Sequence, residues 1–296
     1  MKIGIIGEGH LGSSLKERLS ISRPNVWSIN RKRWKIDGSH FVQKMDLLII
    51  AVRPKDLAEV MFCIRANAHD TPVISFVAGI KYEDYKYKNL YRAMTNIGIS
   101  NGSANSIFMI PPHISQTLLD PKLSVKDWDG FTTTQELLFE FGDVSIIHQN
   151  NEALIDTHTI IAGSGIAFMA YFQQILHEWA VEQGMPPSMS ASVISQVFTA
   201  VSELVIDNIE DFDEDFETFD PLENSFNRSP YKTIIDEVAT PGGTTSAGIE
   251  VMEGLNPLFE VVSSLDGSSK NLKEIIHDAL NEAHNKAKQI SEDGLN

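Results

Sequence analysis

A short apolar run that ends in a glycine loop is the strongest constraint on what this chain can fold into. Ile3–Ile6 reads as a buried strand, and Gly7-Glu8-Gly9-His10-Leu11-Gly12 follows it at once and opens a helix. In that strand–turn–helix setting each glycine has its own duty. Gly7 permits the tight turn, Gly9 lets backbone approach a pyrophosphate, and Gly12 lets the helix pack closely on the strand. The helix start then offers unpaired amides and the positive end of its dipole to an anion. His10 and Leu11 belong to this candidate cofactor loop, His10 either meeting phosphate or capping the turn. Glu8 puts a carboxylate inside the loop, an unfavourable neighbour for a pyrophosphate unless it points away.

The rest of the first half alternates apolar runs with helical stretches. Residues 26–29, 47–52, 73–77 and 145–148 read as buried strands, and 11–19, 56–66 and 133–141 as helices. Such alternation implies an α/β fold, a mostly parallel sheet with helices on its faces. The end of the second strand discriminates between nicotinamide cofactors, since a carboxylate there binds a free ribose hydroxyl. Here the sequence is Asn30-Arg31-Lys32-Arg33, three cations and no carboxylate. Cations suit the extra 2′-phosphate, so NADPH is expected ahead of NADH. The stretch from 31 to 46 looks too short for the usual helix and strand.

Beyond residue 150 the strand pattern stops and helices follow over 151–183, 190–206 and 271–290, with Gly184-Met185-Pro186-Pro187 as a break. Two domains are expected, 1–150 and 151–296, the second carrying an acidic insertion over 207–228. Nine acidic residues fall between 207 and 223. Asp211, Asp213 and Asp215 have the spacing of a calcium loop, but Phe216 and Leu222 stand where glycine and a bidentate glutamate are needed. Calcium is not expected there, and the nine histidines show no metal spacing.

Bulk properties narrow the function classes. A net charge of -16 argues against a nucleic-acid partner. The single cysteine, Cys63, allows no internal disulfide and fits a reducing cytoplasm. No signal peptide is expected, and the apolar tract 159–172 is shorter than the ~18–20 residues that span a bilayer, so it reads as a buried helix.

The sharpest pattern is Asp236-Glu237-Val238-Ala239-Thr240-Pro241-Gly242-Gly243-Thr244-Thr245-Ser246-Ala247-Gly248. A rigid turn runs into a hydroxyl-rich helix start, which suits a carboxylate ligand or equally a plain capped helix. Glu152, Asp156, Thr159 and Gly163 are spaced four, three and four, so they would share one helix face. His158 reads as a packing residue of the same helix.

These residues carry a resemblance. The 236–248 stretch resembles the pyrroline-5-carboxylate reductase signature D-x-V-x-S-P-G-G-T-T-x-x-G. Glu152 to Gly165 resembles that family's E-x-x-x-D-x-x-T-x-x-x-G-S-G segment, Arg92-Ala93-Met94-Thr95-Asn96 its R-x-M-[PT]-N, and Ala51-Val52-Arg53-Pro54 its A-V-K-P. With the glycine loop, five motifs occur in the family's order along nearly the whole chain. Departures include Arg53 for lysine and Asn96-Ile97-Gly98 where the family has N-T-P.

The resemblance implies an N-terminal Rossmann doubly wound sheet and an all-helical C-terminal dimerisation domain, with self-association as a dimer or larger ring. It implies NADPH-dependent reduction of 1-pyrroline-5-carboxylate, a small cyclic imine carboxylate, to L-proline. Thr245 matches the threonine whose hydroxyl meets the ring nitrogen, and Gly242, Gly243, Thr244 and Thr245 match the carboxylate cradle. Glu152 matches an acidic residue lining the substrate site, and Glu237 a position touching ligand or cofactor. Ala51, Val52, Arg53 and Pro54, with Ala78, Gly79 and Asn96, match segments at the nicotinamide end. Two other functions remain open: reduction of a different cyclic imine or hydroxyacid, and a non-catalytic relative that only binds cofactor. The absence of lysine from 152–183 counts against a hydroxyacid dehydrogenase.

Overall fold

The computed structural model describes residues 1–117, 125–208, 229–254, 274–278 and 281. Contacts divide the chain into two compact units, Met1–Ala167 and Phe168–Asn296.

The first unit is built on a seven-stranded sheet. Its strands are β1 (Ile3–Ile6), β2 (Val26–Ile29), β3 (Leu47–Ile50), β4 (Val73–Ser75), β5 (Leu90–Met94), β6 (Ala104–Met109) and β7 (Gly142–Ile147). Their order is β2-β1-β3-β4-β5-β6-β7, with every pairing parallel except β5 on β6. β1 and β3 are buried along their full length. That explains their unbroken apolar sequences, because a parallel strand is covered on both faces.

Alternation divides these strands between two cores. Ile3, Ile5, Leu47 and Ile49 pack with Leu15 and Leu19 of helix α1 (His10–Ser22) on one face. Ile6, Leu48 and Ile50 pack on the other with Trp34, Phe41 and Val42 of helix α2 (Arg31–Gln43), and with Leu57, Val60 and Ile64 of helix α3 (Leu57–Asn67). The period-two geometry of a strand does the sorting. Farther along, Phe108 stacks between Tyr91, at 5.5 Å, and Phe131, at 6.2 Å.

Three expectations need correction. The 31–46 stretch is long enough after all: α2 takes thirteen residues and β3 follows after a short turn. Asn30 makes this possible by capping the helix, its Oδ1 accepting from the Arg33 amide at 3.0 Å. β5 and β6 are strands that the apolar pattern does not announce, because buried Arg92 and Ser106 interrupt their runs. The face shared by Glu152, Asp156, Thr159 and Gly163 is not kept, since Thr159–Ser164 forms a π-helical turn with a wider register. Asp156 is exposed, and Thr159 Oγ1 donates back to the Ile155 carbonyl at 2.7 Å. His158 bonds Asn105, Nε2 to Oδ1 at 2.8 Å.

All described elements of the second unit are helical, within Gly165–Glu182, Pro187–Asp207, Pro230–Val238, Thr244–Gly254 and residues 274–278. The acidic stretch lies beyond 208, outside the described residues apart from Asp207. Gly184 (φ +93) ends the first helix with its amide bonded to the Val181 carbonyl and the Met185 amide to Ala180, a left-handed C-cap that only glycine adopts without strain. Pro187 starts the next helix, where a missing amide costs nothing. Phe172 meets Phe198 at 6.0 Å, and His177 Nδ1 lies 3.0 Å from the Oγ of fully buried Ser190.

Among the described residues, Leu154–Glu182 and Pro187–Asp207 are long and apolar enough to cross a membrane by length and composition. The tract 159–172, too short by itself, sits inside the first. Phe168, Val193, Val197 and Val201 stay exposed on these helices.

The central strands should dominate stability. Ile49→Ala, at a fully buried position, is expected to cost about 2–5 kcal/mol in urea unfolding. Ile36→Ala, on the solvent side of α2, should change it by less than about 0.5 kcal/mol.

Candidate active site

The glycine loop works through backbone contacts. Gly7 has φ +112, and a Cβ there would stand 2.4 Å from the Ala51 carbonyl oxygen. A Cβ at Gly12 would stand 1.9 Å from the Gly7 carbonyl oxygen. Both positions therefore need glycine, one for conformation and space, the other for space alone. Gly9 differs: nothing lies within 4 Å of where its Cβ would be. Its open side faces a cleft, as expected where a ligand approaches the backbone. Gly9 also caps α1 without a side-chain bond, leaving the first-turn amides for an anion.

The cleft has a volume of about 330 Å³ and is lined by Gly7, Glu8, Gly9, Asn30, Arg31, Trp34, Ala51, Val52, Arg53, Lys55, Asp56 and Glu59, over a floor of Ile6, Ile29 and Val60. It opens at the C-terminal ends of β1, β2 and β3, where the strand order reverses direction between β1 and β3. Ligands of open α/β sheets bind at that point. Open space beside Gly9, uncapped amides and adjacent cations together fit a dinucleotide.

Of the expected cofactor residues, Gly7, Gly9, Asn30, Arg31, Ala51, Val52 and Arg53 line this cleft. His10 is exposed and Leu11 half-buried at the start of α1. Lys32 is exposed on the first turn of α2, and Pro54 opens a short 3-10 turn. Ala78 and Gly79 (φ +72) form the exposed end of the segment after β4. Asn96 caps the 3-10 turn after β5, its Oδ1 accepting from the Gly98 amide at 2.9 Å. The family's proline position is Gly98 here, and a Cβ on it would lie 2.9 Å from both Asn96 Oδ1 and the Ser103 carbonyl oxygen.

The surroundings of Glu8 are not legible in the sequence. Its Oε1 accepts from Ser28 Oγ at 2.6 Å and its Oε2 from Asn30 Nδ2 at 3.0 Å. The hydrogen bond from Ser28, then that from Asn30, hold its carboxyl below the usual carboxylate range. Arg31, read as free for a phosphate, stands 3.4 Å from Asp56. Trp34, Asp56 and Glu59 were also not anticipated as lining. Twenty residues separate Glu8 from Ser28, and only strand pairing joins them.

Glu152 is tied into the first unit. It pairs with Arg92 and accepts from the Tyr82 amide at 2.7 Å. Arg92 is 3% exposed and Glu152 19%. Two motifs sixty residues apart thus meet as a largely buried ion pair.

In the second unit, residues 240–243 form a type II turn: Pro241 leads, Gly242 takes φ +74, and the Gly243 amide bonds the Thr240 carbonyl at 3.0 Å. A Cβ at Gly243 would stand 2.6 Å from Thr240 Oγ1. The chain then enters the helix Thr244–Gly254, with Thr244 and Thr245 half-buried in its first turn. Unpaired amides and two hydroxyls are gathered there, an anion-binding geometry. Glu237 is exposed near the end of the preceding helix.

Residues 152–262 match the model of the pyrroline-5-carboxylate reductase dimerisation family. Relatives include pyrroline-5-carboxylate reductase 2 of Bacillus subtilis, 21% identical and covering 93% of this chain and 95% of its own. Pyrroline-5-carboxylate reductase 3 of Danio rerio is 23% identical, covering 93% and 91%. The chain is similar to pyrroline-5-carboxylate reductases over nearly its whole length. Its fold is that of the Plasmodium falciparum pyrroline carboxylate reductase solved with NADP bound, at TM-score 0.67 and 17% identity over 98% and 97% of the two chains. The Streptococcus pyogenes 1-pyrroline-5-carboxylate reductase aligns at TM-score 0.62 with 22% identity, over 98% of each chain.

The Arg92–Glu152 pair generates a stability prediction. Glu152→Ala leaves a buried guanidinium without its carboxylate and should cost about 3–5 kcal/mol in thermal or urea unfolding. An unchanged midpoint would mean that Glu152 serves ligand binding alone.

Proposed function

We propose that this chain is an NADPH-dependent reductase of a cyclic imine carboxylate, with 1-pyrroline-5-carboxylate as substrate and L-proline as product. The observation that carries the reading is the turn at 240–243 running into Thr244 and Thr245, in a region matching the reductase family's dimerisation part. The NADP named with the Plasmodium relative supports the choice of cofactor.

When bound, the nicotinamide supplies a hydride to the imine carbon. The chain's own residues bind and orient. The amides of residues 242, 244 and 245 hold the substrate carboxylate over the bend at Gly243, fixing the ring as a small rigid acid. Thr245 hydrogen-bonds the ring nitrogen, keeping the C=N bond in one orientation while the nitrogen carries its proton into the product amine. The glycine loop holds the pyrophosphate through amides, and Arg31, Lys32 and Arg33 attract the 2′-phosphate. Because an iminium accepts hydride readily once protonated, positioning and exclusion of water are the main duties.

A second copy of the chain is the partner proposed for the uncovered helices of the second unit. Exposed Phe168, Val193, Val197 and Val201 make an apolar surface of the kind a homodimer buries.

Two measurements test these readings. NADPH consumption is followed at 340 nm with 1-pyrroline-5-carboxylate and with a six-membered piperideine analogue. Thr245→Ala is expected to lower kcat about 100-fold while changing NADPH affinity less than about threefold. Quenching of NADPH fluorescence without consumption of either imine would identify a binding-only relative. In sedimentation, the wild type is expected as a dimer or larger, and Val197→Glu as a smaller species.

A further inference from the structure

Glu8 is a charged side chain of the cleft to which the reaction above gives no role. Its position is built rather than incidental. β1 and β2 pair in register, Ile6 opposite Ile29, so the residue two beyond Ile6 comes beside the residue one beyond Ile29. Ser28 is 8% exposed, and its hydroxyl donates to Glu8 Oε1 at 2.6 Å. Asn30 is held twice, its Oδ1 by the Arg33 amide at 3.0 Å and its Nδ2 by Glu8 Oε2 at 3.0 Å. Two fixed donors therefore anchor an anionic carboxylate at the C-terminal end of β2, on the wall of the dinucleotide cleft. An acidic side chain at that place receives the adenosine ribose hydroxyls in this architecture, and it normally comes from the second strand itself. Here the strand end lacks an acid and the glycine loop supplies one.

The same carboxylate opposes a second anion. Each of its oxygens keeps acceptor capacity beyond the bond it already takes. A free 2′-hydroxyl can donate to it, whereas a 2′-phosphate brings like charge against it. Of the three neighbouring cations, Arg31 is already engaged by Asp56 at 3.4 Å.

Resting on the dinucleotide reading above, we propose that Glu8 is the specificity-determining residue of the cofactor site. It accepts the ribose 2′-hydroxyl of NADH and counteracts the attraction of Arg31, Lys32 and Arg33 for the 2′-phosphate of NADPH, so the protein uses both dinucleotides.

The test is binding to the full-length protein, read by energy transfer from tryptophan to the reduced nicotinamide, for wild type and Glu8→Gln. Competition by 5′-AMP and by 2′,5′-ADP reports the adenosine end alone, independent of turnover. Glutamine keeps the size and an acceptor for Ser28 but removes the charge. Wild type is expected to bind both dinucleotides, and Glu8→Gln to shift the NADH-to-NADPH ratio of Kd by at least about tenfold toward NADPH, with the same direction for the two mononucleotides. Ser28→Ala, which frees the carboxylate from its anchor, should shift the ratio in the same direction by a smaller factor. A ratio unchanged in Glu8→Gln, with both ligands still bound, overturns the assignment of Glu8 and leaves the cofactor reading intact. Wild type that binds neither dinucleotide overturns both.

Discussion

The first unit depends on one close approach of backbone to backbone. The Cα of Gly7 faces the Ala51 carbonyl, and the Cα of Gly12 faces the Gly7 carbonyl, at distances that leave no room for a methyl group. That contact draws the start of α1 against the ends of β1 and β3. It also aims the helix's first amides at the cleft instead of at solvent. A side chain at either glycine would lift the helix and open the corner on which the cleft is built. Gly9, with open space beside it, is the complementary case: the same loop that is tight inside is bare outside.

Around that corner, polar side chains are consumed in bridges between segments distant in sequence. Glu140, just after the helix Val125–Phe139, accepts from Ser22 and Arg23, while its carbonyl accepts from Arg18 at 2.8 Å. Arg92 and Glu152 join the middle of the sheet to the turn that starts the long helix. Glu8, Ser28 and Asn30 join the glycine loop to the next strand and helix. In each case packing of the surrounding elements holds the partner in place, so the charge keeps a compensating group. The cost is that several residues that look like free ligands in the sequence already have protein partners.

The apolar faces of Gly165–Glu182 and Pro187–Asp207 follow a different logic. Within one chain Phe168, Val193, Val197 and Val201 stay exposed, although Gly184 caps the first helix and Phe172 packs against Phe198 of the second. A helix that is apolar all round needs cover from somewhere. The match of residues 152–262 to a dimerisation family gives that surface a natural explanation in self-association.

Much of this was legible in the residues. Unbroken runs such as Ile3–Ile6 and Leu47–Ile50 announced buried parallel strands, and Gly7, Gly9 and Gly12 announced the corner, because spacing and steric need are local properties. The Pro-Gly-Gly sequence announced a rigid turn for the same reason, and the structure makes it a type II turn with Gly242 at positive φ. β5 and β6 were hidden, since a buried Arg92 or Ser106 looks like surface until its partner is known. So was the wider π turn, which no composition rule marks. The sequence by itself determined the first strands, the glycine corner and the breaks at Gly184 and Pro241. Only the tertiary structure decided where Glu8, Arg31, Arg92 and Glu152 spend their charge. Hydrogen bonds of a few ångströms select partners by position in space, and strand pairing brings together residues that lie twenty or sixty apart along the chain.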